Sequence, residues 1–147
     1  MASKDQNHDG NEGMPDLGDN IDILTFGQIL EMDDSEEDRE FSRSIVFGFF
    51  EQAEETFGKM DVALEARDLD ELYRLGHFLK GSSATVGMTK VKDSCEKIQR
   101  YGKKENIDGT PEPDEELCLS RIRATLSTVK TEYADAEKTL KVFFDPA

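Results

Sequence analysis

From Asn20 onward the apolar positions fall at helical intervals. Ile21 and Leu24, together with Ile23, Phe26, Ile29 and Leu30, predict a short first helix, closed by the polar run Asp33-Asp34-Ser35. Ser35 with Asp38 has the pattern of a helix start, and Val46, Phe49, Phe50, Ala53, Phe57, Met60 and Leu64 then draw one stripe along a second helix. Asp68 or Asp70 opens a third helix with Leu72, Leu75 and Leu79 inward, running to a stop near Gly87. A fourth, from Met88 to about Gly102, carries Met88, Val91, Cys95 and Ile98 on one side. Gly109, Pro111 and Pro113 then oppose helix continuation. In the last segment Leu119, Ile122, Leu126, Val129, Tyr133, Ala136, Leu140 and Phe143 alternate steps of three and four, the seam of a long bundle helix or of a dimeric coiled coil. No stretch alternates with period two. The predicted fold is all-α, an up-and-down four-helix bundle with an additional N-terminal helix. Residues 1–18 hold little to bury and read as a flexible acidic tail, leaving 19–147 as one domain.

Charge sharpens this picture. The chain has 147 residues and a net charge of −15, which argues against a molecule that coats nucleic acid or anionic lipid. The distribution is uneven. Residues 1–40 hold 13 acidic and 2 basic side chains, whereas residues 74–104 hold 8 basic and 2 acidic ones. A basic island in an acidic protein points to a local anion site or to solvated helix faces. The island lacks interleaved aromatics apart from Tyr101, so base stacking is not expected. The acidic run DDSEEDRE has neither the glycine turn nor the ligand alternation of a calcium loop. Cys95 and Cys118 are too few for a disulfide scaffold or a four-ligand zinc site. No apolar run reaches the roughly 18 residues of a membrane span, and MASKDQNHDG lacks the apolar core of a signal peptide. The expectation is an intracellular protein with reduced thiols, no metal and no membrane contact.

His77 is the histidine with chemical context; His8 lies in the tail. Position 77 is roughly 100° or more from the inward stripe 72, 75, 79 of the third helix, so its ring is expected in solvent beside Tyr73, Arg74, Lys80, Gly81 and Ala84. Helical side chains lean towards the N-terminus, so Lys80, at i+3, can lay an ammonium beside anything attached to the imidazole. Gly81, at i+4, leaves the ring uncrowded. Gly76 and Gly81 each cost about 0.5–1 kcal/mol relative to alanine in a helix, and such conflicts concentrate at functional positions. Gly76 can instead serve close helix packing. Without a carboxylate or second histidine beside it, His77 makes a poor metal site or hydrolase triad. The chain also lacks GxxxxGK[ST], GxGxxG and HExxH. A phosphoryl group on the imidazole fits, because phosphoryl transfer depends on positioning and charge stabilisation.

The run His77-Phe78-Leu79-Lys80-Gly81-Ser82-Ser83 resembles the H-x-L-K-G-S-S signature of histidine-containing phosphotransfer (HPt) proteins. Ala84 to Gly87, Cys95 to Gly102, and the upstream Ile29-Leu30-Glu31-Met32-Asp33-Asp34 and Phe57 resemble the fungal members, intermediates of osmosensing phosphorelays. The resemblance spans about residues 22–144. It implies that His77 accepts a phosphoryl group through Nε2, that Lys80 neutralises it, and that Gly81 makes room for the partner. It also implies that Gln99 approaches the His77 ring, that Ser82 hydrogen-bonds locally, and that Lys103 faces the partner. Ile29 and Met32, with Phe41 from the second helix, would form an apolar docking patch, although Phe41 also suits the core. The implied donor is the receiver domain of a hybrid histidine kinase, and the acceptors are downstream response regulators; a bundle that binds receivers without transfer is the rival reading. No cofactor is implied, Mg²⁺ belonging to the receiver. A monomer, cytoplasmic and nuclear, is expected.

Overall fold

The structure is a computed structural model and describes residues 17–35 and 37–145. The described residues form five helices: α1 (Ile23–Leu30), α2 (Glu40–Glu65), α3 (Leu69–Val86), α4 (Thr89–Gly102) and α5 (Glu115–Phe144). Among the described residues there is no strand beyond isolated bridges, and no helix is long and apolar enough to cross a membrane. Most of the predicted tail lies outside the described residues. Its boundary moves, however, because Leu17 is packed into the core with 5% of its surface exposed.

Helix starts follow their caps. The Asp68 carboxylate accepts the Glu71 backbone N–H at 3.1 Å to begin α3, and Asp114 accepts that of Leu117 at 3.2 Å to begin α5. The first helix starts later than predicted, since residues 20–22 are used in extended form. Asp22 donates its backbone N–H to the Gly87 carbonyl at 2.7 Å, and Thr89 donates to that of Asn20 at 3.1 Å. The predicted start of α2 also fails. Ser35 and Asp38 close a turn, the Asp38 N–H reaching Ser35 Oγ at 3.2 Å, and the helix begins only at Glu40. Asp38 Oδ1 accepts the Glu40 N–H at 3.2 Å, and Asp33, nine residues upstream of its partner, accepts the Ser42 N–H at 2.8 Å and the Ser42 hydroxyl at 2.7 Å.

Four helices close around one core: α3 packs on α2 and α4, and α5 on α4 and α2. The seam of α5 is spent on this core, with Ile122, Val129, Ala136 and Leu140 fully buried, which leaves it unavailable for a coiled-coil partner. The short α1 lies against α3 and is anchored to the end of α5 by Phe26, whose ring meets Phe143 edge-on at 5.2 Å and Phe144 at 6.0 Å. Two glycines set how closely α3 and α4 approach. A Cβ on Gly76 would stand 3.0 Å from both the Cys95 carbonyl oxygen and the Gln99 nitrogen, and one on Gly102 would stand 2.7 Å from the Tyr73 nitrogen. The turn of α3 that leads into position 77 is thereby fixed against α4.

Candidate functional site

The outer face of α3 presents His77, exposed as expected, with Lys80 half-buried one turn on. Gly81 is exposed, and a Cβ there would meet nothing within 4 Å. Gln99 on α4 lies behind this face, its backbone against Gly76, and its side-chain carbonyl is buried without a hydrogen-bond donor among the described residues. Lys103, one turn beyond Gln99, is exposed, and its Nζ sits 5.2 Å from the centre of the Tyr73 ring. The Tyr73 ring is stacked with that of His77, centroids 6.3 Å apart and planes 18° from parallel.

The basic island divides once its partners are known. Arg74 pairs with Glu71, Lys90 with Asp19, Lys92 with Asp93, Arg100 with Glu96 and Glu105, and Lys104 with Glu115. Lys80, Lys97 and Lys103 make no ion pair with a described residue. Of these three, Lys80 lies one helical turn from His77 on α3, and Lys103 rests at the Tyr73 ring. No group of three or more His, Cys, Asp or Glu side chains among the described residues is arranged to hold a metal ion.

Of the three residues expected to form an apolar docking patch, two are exposed. Met32 is 61% exposed and Phe41 49%, so Phe41 is a surface residue. Both line a depression with Asp34, Asp38, Glu40 and Ser44, and Ser44 also lines a second one that continues to Ser82 and Thr85 on α3, beside Gly81. Ile29 does not belong to the patch. With 5% of its surface exposed it is a core residue, because the α1 face that carries Phe26 and Leu30 turns inward and position 29 falls within it. Ser82 is likewise corrected: its hydroxyl makes no hydrogen bond with a described residue, and the local bond of this turn is made by Thr85, whose Oγ1 donates to the Gly81 carbonyl at 3.1 Å. Sequence reasoning missed Phe78, 48% exposed next to the histidine, and it missed the ring stack. The signal for the stack was present, since Tyr73 is four residues before His77, the spacing that brings helical side chains together.

His77 is thus a solvent-facing imidazole on a helical bundle, with Lys80 one turn on along α3 and Lys103 at the Tyr73 ring with which the imidazole stacks, neither ammonium ion-paired among the described residues. The chain belongs to the Hpt domain family, whose model matches residues 45–132. Over 126 residues it is 50% identical to the Multistep phosphorelay regulator 1 of Schizosaccharomyces pombe, covering 85% of this chain and 42% of that protein. It is 47% identical over 88 residues to the phosphorelay intermediate protein YPD1 of Candida albicans, covering 60% and 47% of the two chains. The fold superposes on Saccharomyces cerevisiae Ypd1, a histidine phosphotransfer signaling protein co-crystallised with the receiver domain of its downstream response regulator Ssk1. For that pair the TM-score is 0.74 and the identity 30%, with 86% of this chain and 95% of that chain covered. The chain spans about half the length of the curated relatives it matches.

Proposed function

We propose that this chain is a phosphorelay intermediate. His77 takes a phosphoryl group from an aspartyl phosphate in the receiver domain of a hybrid histidine kinase and gives it to an aspartate in a downstream response regulator. The observation that carries this reading is the exposed His77 ring beside Lys80, Lys103 and the open Gly81. The relation to phosphorelay intermediates and the co-crystallised relative support it.

The chemistry needs little from the bundle beyond position. The Nε2 lone pair attacks phosphorus, the N–P bond forms, and the P–O bond to the receiver carboxylate breaks with its electron pair left on the carboxylate. The ring keeps its proton on Nδ1, so no base is required. Lys80 stabilises the charge on the phosphoryl oxygens, and Lys103 adds a second cation at the rim. Gly81 lets the receiver's active site close over the imidazole, while Met32 and Phe41 form the apolar part of the docking surface. Gln99 holds the α4 side of the site. The reverse sequence delivers the group to the next aspartate. In this reading the chain acts as a carrier rather than a kinase; the given sequence has neither GxxxxGK[ST] nor GxGxxG. In this reading the receiver brings the Mg²⁺ such transfers use.

The test is His77→Gln. This exposed substitution should fold as the parent does, with unchanged helicity and melting. Incubated with a phosphorylated receiver and analysed by mass spectrometry at alkaline pH, it should gain no phosphoryl group, whereas the parent gains one. A folded variant that is still labelled overturns the assignment.

A further inference from the structure

We infer that Tyr73 is a positioning residue for the phosphoryl step, one that sets the His77 imidazole and holds the Lys103 ammonium at the same ring. This rests on the carrier reading above and deepens it. An exposed histidine on a helix is free to sample several χ1 rotamers, and only some aim Nε2 at a docked partner. Two helix-to-helix contacts fix the backbone that carries its neighbour Tyr73. The Tyr73 backbone is pressed against α4, where a Cβ on Gly102 would lie 2.7 Å from its nitrogen and 2.9 Å from its Cα. One turn on, Gly76 is held against Cys95 and Gln99 in the same way. The half-buried Tyr73 side chain thus stands on a backbone that cannot shift, and its ring stacks with the His77 ring at 6.3 Å and 18°.

The same tyrosine ring accounts for Lys103 making no ion pair with a described residue, although α4 and its following loop are rich in partnered cations. Its ammonium rests 5.2 Å from the Tyr73 ring centre. A cation held by an aromatic face keeps its full charge for an anion that arrives later, whereas one held by a carboxylate does not. Tyr73 therefore places both the nucleophile and a cation that meets the transferred group. It touches neither phosphorus nor the partner carboxylate.

The test uses the full chain and two donors, a phosphorylated receiver domain and phosphoramidate, which needs no docking surface. Two-dimensional NMR should show cross-peaks between the Tyr73 and His77 rings and a single His77 χ1 rotamer in the parent. Tyr73→Phe should keep the rotamer and the transfer rate. Tyr73→Ala should show averaged His77 couplings and a transfer rate about three- to tenfold lower with both donors, with the affinity for the unphosphorylated receiver unchanged. If Tyr73→Ala keeps one His77 rotamer and parental rates, or Tyr73→Phe falls with it, the positioning role is refuted. If the parent itself takes no phosphoryl group from either donor, the carrier reading fails, and the rotamer measurement, which needs no donor, still decides whether Tyr73 sets the ring.

Discussion

Gly76 and Gly81 share one helix and have opposite surroundings, and this separates a packing glycine from one kept for a visitor. A Cβ on Gly81 meets nothing within 4 Å, so Gly81→Ala should stabilise the folded chain by about 0.5–1 kcal/mol through helix propensity alone. The same change should slow transfer from a receiver, and Gly81→Gln should slow it further. Gly76→Ala should instead lose about 1 kcal/mol or more, because the added methyl presses on backbone atoms of α4 at 3.0 Å and overpacking outweighs the propensity gain. Denaturant melts of the two alanine variants, with receiver labelling of the first, check the contrast; equal shifts in stability would refute it. Both glycines stood out in the sequence as breaches of a local rule, and the stripe of Leu72, Leu75 and Leu79 sufficed to turn Gly81 and His77 outward. Ile29 was illegible for a related reason. The eight-residue α1 has apolar side chains on both faces, with Leu24 73% exposed and Phe26 buried, so periodicity alone does not say which of them face solvent.

Three helices end alike, yet only one end uses glycine. After α2, α3 and α4 the chain turns through a left-handed residue: Arg67 at φ 59°, Gly87 at φ 83° and Lys104 at φ 61°. In each case the next backbone N–H reaches back five residues, Asp68 to Ala63, Met88 to Ser83 and Glu105 to Arg100. Gly87 was readable as a stop because glycine advertises this conformation, whereas arginine and lysine do not. At Gly87 a side chain would also press on the Asp22 carbonyl oxygen at 3.1 Å, where the lead into α1 crosses. Arg67 and Lys104 carry a conformational cost of about 1–2 kcal/mol that glycine would relieve, offset in part by the greater freedom glycine gives the unfolded chain. Lys104→Gly should therefore raise the melting temperature, with a net gain of about 0.5–1 kcal/mol, since the exposed pair with Glu115 it removes contributes little. A lower melting temperature would show that this pair outweighs the backbone term. The start of α2 was hidden for a different reason. Part of its cap, Asp33, comes from nine residues before Ser42, while the local Ser35–Asp38 pattern closes a turn and Asp38 accepts only the Glu40 N–H.

At the scale of the whole molecule the seam of α5, the plainest pattern in the sequence, became the wall of the core, and the groups it buries give the bundle a weakness at high pH. Burial pushes the Cys95 thiol up to about 12, helped by the Glu132 carboxylate. The Tyr133 phenol is also raised, by burial first and then by donating to Glu54 at 2.9 Å. Both groups hold their protons more firmly folded than unfolded. The unfolded chain therefore ionises first as pH rises, and stability is fully present below the ordinary pKa of each group and falls above it. For Cys95 that window runs from 9.0 to about 12, with a loss of up to about 1.4 kcal/mol per pH unit. A chain of net charge −15 gains further negative charge as lysines deprotonate, so some alkaline loss is common to every variant. The part that belongs to the buried groups is the difference between variants. In urea titrations from pH 8 to pH 11, Cys95→Ala and Tyr133→Phe should each start less stable than the parent, from the lost packing or hydrogen bond, and each should decline less steeply. Parallel curves would mean that general charge repulsion, rather than two buried protons, sets the alkaline limit of the fold.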